Sequence, residues 1–262
     1  MKSKYSIIIV ALCVMFGGVG CKEDDTSTWE SLPSCPDTPI FTALPLAQED
    51  ILNFQPLGHY AQPGHTFPTG HHYFDKVMEH GVVSVYAACD GWIINVIETK
   101  STAWLDTPTQ YSIELAPCNK MKNIYGHISN MTQDILDQMG TQDSYETYST
   151  GGDTYERMSY NTKIFVTAGQ KIGELADSPD AEGIDFGTID LRQKFDLINP
   201  SRFQTGYVNE VSLVHYSTPE IKNLLYDYIQ YNNATVPLRT SLPLEGVICY
   251  DVPGTTPGLW FF

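Results

Sequence analysis

The sequence predicts a mainly β domain that closes with one helix and an irregular tail. Three observations carry this prediction. Sixteen tyrosines stand among 262 residues, of which 42% are hydrophobic and 12% aromatic, a composition that supplies a core and suits pleated surfaces. Short runs alternating apolar and polar side chains recur between about residues 57 and 203, punctuated by Gly, Asp and Pro. Helical spacing is strongest in one later stretch, "STPEIKNLLYDYIQYNN".

The chain opens with Lys2 and Lys4, the apolar run "YSIIIVALCVMF" and the small residues "GGVG" before Cys21. This order is that of a secretory signal over residues 1–20, with an apolar run too short to span a bilayer. The cleavage region resembles a bacterial lipoprotein box, although Gly18 stands where such boxes usually carry Leu. That resemblance implies Cys21 as the lipid-bearing first residue of a mature, membrane-anchored, exported lipoprotein, on the periplasmic side or the cell surface. The acidic "CKEDD" that follows resembles export tags of surface-exposed lipoproteins. An ordinary signal peptide with a chance Cys is the plainer reading. Residues 21–45, polar and proline-bearing, read as anchor and linker.

The β domain is placed at residues 46–205. "AQEDILNF" reads as a short helix. "GVVSVYAACDGWIINVIET" reads as a hairpin around Asp90-Gly91, and "YSIELAP" and "KNIYGHIS" as the next strands. "MTQDILDQMG" has Thr132 as a cap and Ile135, Leu136 and Met139 at helical spacing. Residues 141–162 are polar and aperiodic and read as an inserted loop. Its aromatics could line a glycan groove or pack on the domain edge. "KIFVTAGQKIGELA" holds two strands about Ala168-Gly169, and "GIDFGTIDLR" another. Residues 206–262 supply the helix, with Pro219 in its first turn and Ile221, Leu224, Leu225 and Tyr228 on one face. A Pro-rich tail then covers the domain.

Charge and cysteines narrow the function. With 15 Lys and Arg against 31 Asp and Glu, the net charge is −16, so a phosphate backbone would repel the chain and nucleic acid is not an expected partner. Outside the signal, Cys35, Cys89, Cys118 and Cys249 make an even set in an exported chain, which suggests disulfides. Three pairings exist, and Cys35–Cys249 with Cys89–Cys118 is favoured. None has C-x-x-C spacing. There is no G-x-S-x-G elbow, P-loop, dinucleotide-binding G-x-G-x-x-G or H-E-x-x-H helix.

One stretch concentrates chemistry. "GHTFPTGHHYFD", residues 64–75, holds three of the chain's seven histidines and ends on an aspartate. The phrases "PLG", "HHYFD", "SVYAACDGWIINV", "IYGHIS", "VTAGQKIGEL", "IDFGTIDL" and "INPSRF" stand in the order and spacing of the lysostaphin-type (LytM-like) zinc endopeptidases. The resemblance covers about residues 57–203. It implies a β-sandwich-type peptidase domain, zinc as cofactor, and peptidoglycan or an envelope peptide as partner of a monomeric chain. In the family a His and an Asp of an H-x-x-x-D motif bind the metal, and His71 and Asp75 match it. In a straight strand these would lie about 13 Å apart, too far for one ion, so the segment would have to bend. The family's third ligand is the second His of an H-x-H motif; Asp185 stands there, and Gly183 replaces the other His. His127 matches a catalytic His. A His71, Asp75, Asp185 site would carry more negative charge than the family's, leaving bound water less acidic. Loss of one general acid–base group costs roughly a hundred- to ten-thousandfold. The resemblance therefore implies a degenerate, non-catalytic binding or regulatory module, with an active metal-dependent endopeptidase as the alternative.

Plainer readings stand beside these. His71 with Asp75 could be a metal-free hydrogen-bonded pair, and Asp185 could cap a loop or pair with a histidine. His65 could be a supporting group, a substitute ligand or a loop anchor. His72 alternates away from His71 toward surface or packing. Tyr73 and Phe74 read as core or groove wall, and His59, His80 and His215 as structural.

Overall fold

The computed structural model describes residues 31–37, 39–59, 68–203, 206–229, 243–249, 251 and 254. The signal region, Cys21 and His65 lie outside them. Strands make up 43% of the chain and helices 15%, which bears out the mainly β class. Eleven strands form two antiparallel sheets: β1 (Ile51–Gln55), β2 (His72–Lys76), β3 (Val83–Tyr86), β4 (Gly91–Ser101), β5 (Thr109–Cys118), β6 (Met121–Ile128), β7 (Asn130–Met131), β8 (Ser144–Thr150), β9 (Asp153–Val166), β10 (Lys171–Leu175) and β11 (Gly183–Asp190). The large sheet runs β1-β2-β11-β6-β5-β4-β9-β8, and the small one β3-β10-β7.

Alternation decides which face each strand buries. Phe54, Phe74, Ile184, Phe186, Tyr125, Ile113 and Val96 project from one face of the large sheet into a single buried cluster. The small sheet joins that cluster through Val83, Val85, Ile172 and Met131, and the C-terminal helix Pro219–Ile229 through Ile221, Leu225 and Ile229. Each such side chain contributes roughly 1.5–3 kcal/mol on leaving water. The helix thus forms where its periodicity predicts, but it buries Ile221, Leu225 and Ile229, while Leu224 and Tyr228 of the predicted stripe are only partly buried. Phe41, within the expected linker, is fully buried in the same cluster and bridges Ser217. Among the described residues no helix is long and apolar enough to cross a membrane.

Four expectations are corrected. The stretch around Asp90-Gly91 is no hairpin, because β3 and β4 lie in different sheets. Ala87, Ala88 and Cys89 are buried on both parities, so the chain dives through the core between sheets. Asp90 accepts the Ala168 N–H at 2.8 Å, tying this crossing to the parallel passage from β9 to β10. Residues 141–162 are not a loop: β8 and the outer half of β9 form a hairpin closed at Gly151-Gly152. It was illegible as strand because almost all its residues stay at least partly exposed, so no apolar alternation marks it. "AQEDILNF" is a 3₁₀ turn, Gln48–Asp50, leading into β1. The disulfide is Cys35–Cys118, with Cys89 buried and Cys249 partly exposed as free thiols. Cys89 lies in the core crossing, where the Asn123 amide donates to its sulfur at 3.4 Å, and Cys118 is taken by Cys35.

Candidate functional site

The face of the large sheet opposite the core carries the histidines and acids that the sequence singles out. In β2, Phe74 and His72 point to the core, which leaves Tyr73 and Asp75 on the outer face. Register then fixes the neighbours: Asp185 on β11 lies opposite Tyr73, and Gly183 opposite Asp75. Just before β2, His71 falls beside Gly187.

His127 reaches the same place by a different device. It is the one non-glycine with positive φ (63°) among the described residues, at a break in the β5–β6 register. Such a bulge re-aims a side chain, at a cost of roughly 1–2 kcal/mol for the left-handed backbone. Its ring is bracketed. Nδ1 lies 2.7 Å from the Gln110 Oε1, and Nε2 3.2 Å from the Asp185 Oδ2. The Gln110 amide nitrogen donates to the Asp180 carbonyl at 3.1 Å, so its oxygen must face the ring. The ring therefore donates from Nδ1, and a hydrogen bond to the carboxylate requires a second proton on Nε2. Burial opposes that charge, yet the bond to Asp185 and its negative charge prevail and raise the His127 pKa above 6.5. His71 approaches the same Asp185 oxygen at 3.4 Å. One carboxylate thus sits between two imidazoles.

Two cavities meet at this pair. One, of about 260 Å³, runs past His71, Trp104, Gln110, Ile124 and Glu210. The other, of about 180 Å³, runs past Tyr73, Asp75, Asp180 and Glu182. Asp185 and His127 line both, so together they form a trough across the strands. Neither lining includes Lys or Arg among the described residues.

Asp75 is engaged elsewhere: the Gln55 amide donates to its Oδ2 at 2.7 Å. Burial pushes its carboxyl up to about 6, against the hydrogen bonds from Gln55 and Asn53, with Glu182 and Asp185 adding repulsion. The unfolded carboxyl titrates near 3.8, so this group favours folding below that pH, an advantage lost as pH rises from about 4 to 6. Asp75→Asn is expected to raise stability at pH 8 by about 1–3 kcal/mol and to change little at pH 3.5, measured by denaturant melts at both pH values.

Zinc held as in the family would need His71, Asp75 and Asp185 around one ion. The β2–β11 register is regular from His72 to Asp75. His71 lines one cavity and Asp75 the other. Asp185 lines both, and among the described residues no group of three or more His, Cys, Asp or Glu is set to hold a metal ion. The position of the family's other histidine is closed as well: a Cβ on Gly183 would lie 2.3 Å from the Phe74 carbonyl oxygen.

The remaining predicted residues are structural in placement. His72 is fully buried, stacked on Phe54 at 4.8 Å, and its Nε2 accepts the Leu213 N–H at 3.3 Å. Burial drives its pKa down to about 3. Its proton uptake is a cost to the folded state that begins as pH falls below 6.5. An NMR titration of ring protons is expected to show His72 unchanged between pH 7.5 and 4, and His127 titrating above 6.5 with its midpoint lowered by Asp185→Asn. His59 is buried against Tyr73, His80 lies 2.7 Å from Asp50, and His215 lies 3.8 Å from Glu245.

Sequence reading missed Gln110, Trp104 and Glu210. Glu210 follows a 3₁₀ turn, Tyr207–Asn209, in an irregular segment without periodicity. Burial pushes its carboxyl well above the usual range. Compared with models of protein families the chain matches none, and no curated protein matches it.

Proposed function

We propose that this chain is a divergent relative of the lysostaphin-type endopeptidases that keeps the groove and has dropped the chemistry. It acts as a binding or regulatory module for peptidoglycan or envelope peptides, exported and tethered through lipidated Cys21. The observation that carries this reading is Gly183, where the backbone of β2 leaves no room for the side chain that the family uses as a catalytic imidazole. The surviving groups support it. The Asp185 carboxylate is shared by two imidazoles, and both ring nitrogens of His127 are engaged, one with Gln110 and one with Asp185. A trough of carboxylates, imidazoles and amides on an open sheet face suits an extended polar chain.

Zinc at this site would require Asp75 to leave Gln55 and swing toward His71; it would then polarise a carbonyl or acidify water. Co-sedimentation with purified sacculi tests the two readings. The protein is expected to pellet with sacculi in chelator and to release no soluble peptides when zinc is added. Peptide release that depends on zinc and on His71 would establish the endopeptidase instead.

A further inference from the structure

We infer that one rim of the large sheet, where β4 begins and β5 and β9 end, rests on the surface of a lipid bilayer. This goes beyond the proposed function and takes from it only the tether at Cys21. Two aromatic rings mark the rim. Trp92 on β4 and Phe165 on β9 are partners in the ladder, their ring centroids 5.1 Å apart. Phe165 is 51% exposed, and Trp92 is half-buried against the small cluster of Leu32, Ile94 and Ala116. A lone exposed ring is ordinary on a protein surface. Here two are in contact, with the exposed Lys163 two residues before Phe165 on the same strand face. Aromatic rings edged by lysine are suited to the level of lipid headgroups. The chain is acidic overall, so the contact rests on the rings more than on charge and should persist in high salt.

The path of the chain says what covers this rim. Cys35 is bonded to Cys118 at the end of β5, the Asn119 N–H donates to the Pro33 carbonyl at 3.0 Å, and the Lys163 Nζ donates to the Ser31 hydroxyl at 3.1 Å. Leu32 packs on Ile94 and Ala116. Residues 31–35 are thus strapped across β5, β4 and β9, and the tether leaves the domain beside Phe165. Ten residues of sequence separate Cys21 from Ser31, a reach of at most about 33–36 Å when fully extended. A lipid on Cys21 therefore keeps the bilayer within that distance of the two rings. The trough lies toward the other end of the same strands. Thr99, in its lining, stands seven residues along β4 from Trp92, about 23 Å at 3.3 Å per residue. Docking by the rim holds the trough clear of the headgroups and open.

Lipidated full-length protein in vesicles of phosphatidylethanolamine and phosphatidylglycerol tests this. A fluorophore is attached through Phe165→Cys and, as the control, through Leu105→Cys, at an exposed residue of the loop between β4 and β5. Both are made in a Cys249→Ser background, and each is challenged with lipids that carry a quencher near the headgroup. Quenching several-fold stronger at position 165 than at position 105, and kept in high salt, is expected. Brominated lipid should also quench a part of the wild-type tryptophan emission that Trp92→Phe lacks, and this reading decides if Phe165→Cys does not fold. Equal quenching at the two positions, or quenching at neither, with the protein still on the vesicles, would overturn the docked rim and leave the tether standing. A chain that takes up no fatty acid and stays off vesicles would remove the tether and the proposal with it. A Cys21→Ser protein that sediments as a dimer, with position 165 shielded from aqueous iodide, would give the rim to a second copy and overturn the proposal.

Discussion

Gly183→His should destabilise the protein by about 3 kcal/mol or more and restore no hydrolysis. A Cβ there would meet the Phe74 oxygen at 2.3 Å, the Asp75 Cα at 2.9 Å and the Phe74 carbonyl carbon at 3.0 Å. All three are backbone atoms of the neighbouring strand, so no side chain can rotate away. β2 is itself pinned between β1 and β11, so relief would require parting β2 from β11. Overpacking a well-filled site typically costs 1–3 kcal/mol and sometimes more, and here the obstacle is the ladder itself. For a domain of this size that is about 6–12 °C in melting temperature. Gly187→Ala is the control. It lies on the same face of the same strand, but its Cβ would find only ordinary contacts at 3.7–4.0 Å, so a change within about 1 kcal/mol is expected. Equal stability of Gly183→His and wild type would mean that β2 and β11 are not paired as described.

Removing the Cys35–Cys118 bridge should have a comparable effect. It spans 83 residues of sequence and fastens the N-terminal segment to the end of β5. Leu32, three residues before it, packs on Ile94 and Ala116, so the bridge also holds a small apolar cluster on the outer face. Loss of a native disulfide typically costs 2–5 kcal/mol, chiefly by freeing the unfolded chain. A Cys35→Ser, Cys118→Ser double variant should show that loss in denaturant melts. Cys89→Ser and Cys249→Ser should leave the bridge intact. Thiol counting on denatured, unreduced mature protein should find two free thiols among these four cysteines; none or four would contradict the pairing.

Much of the site was legible because alternation is a local rule. Once β2 is a strand, Tyr73 and Asp75 share a face with His71 one step before, and the β2–β11 register adds Asp185. Pairing across sheets was not legible. Asp90-Gly91 has the chemistry of a two-residue turn, yet Ala87 to Cys89 demand burial on both sides, and that demand wins. The β8–β9 hairpin had a Gly151-Gly152 turn to announce it but no buried face to mark its strands. The disulfide depended on which strand ends meet, which spacing does not contain. His127 enters through a bulge, and Glu210 through an irregular segment, so neither position follows from periodicity. Register sets Asp75 opposite Asn53 and Gly183, its carboxylate takes the Gln55 amide, and His71 lies 3.4 Å from Asp185.

The central claim is that Asp185, held between His71 and His127, anchors a peptide without cutting it. The direct measurement is an equilibrium titration of a fluorescent stem peptide in chelator, against wild type and Asp185→Ala, with the peptide recovered and weighed by mass spectrometry. Saturable binding without metal, weakened at least tenfold in Asp185→Ala, with the peptide intact after zinc is restored, is the predicted result. No binding in chelator, together with cleavage once zinc is added, would contradict it.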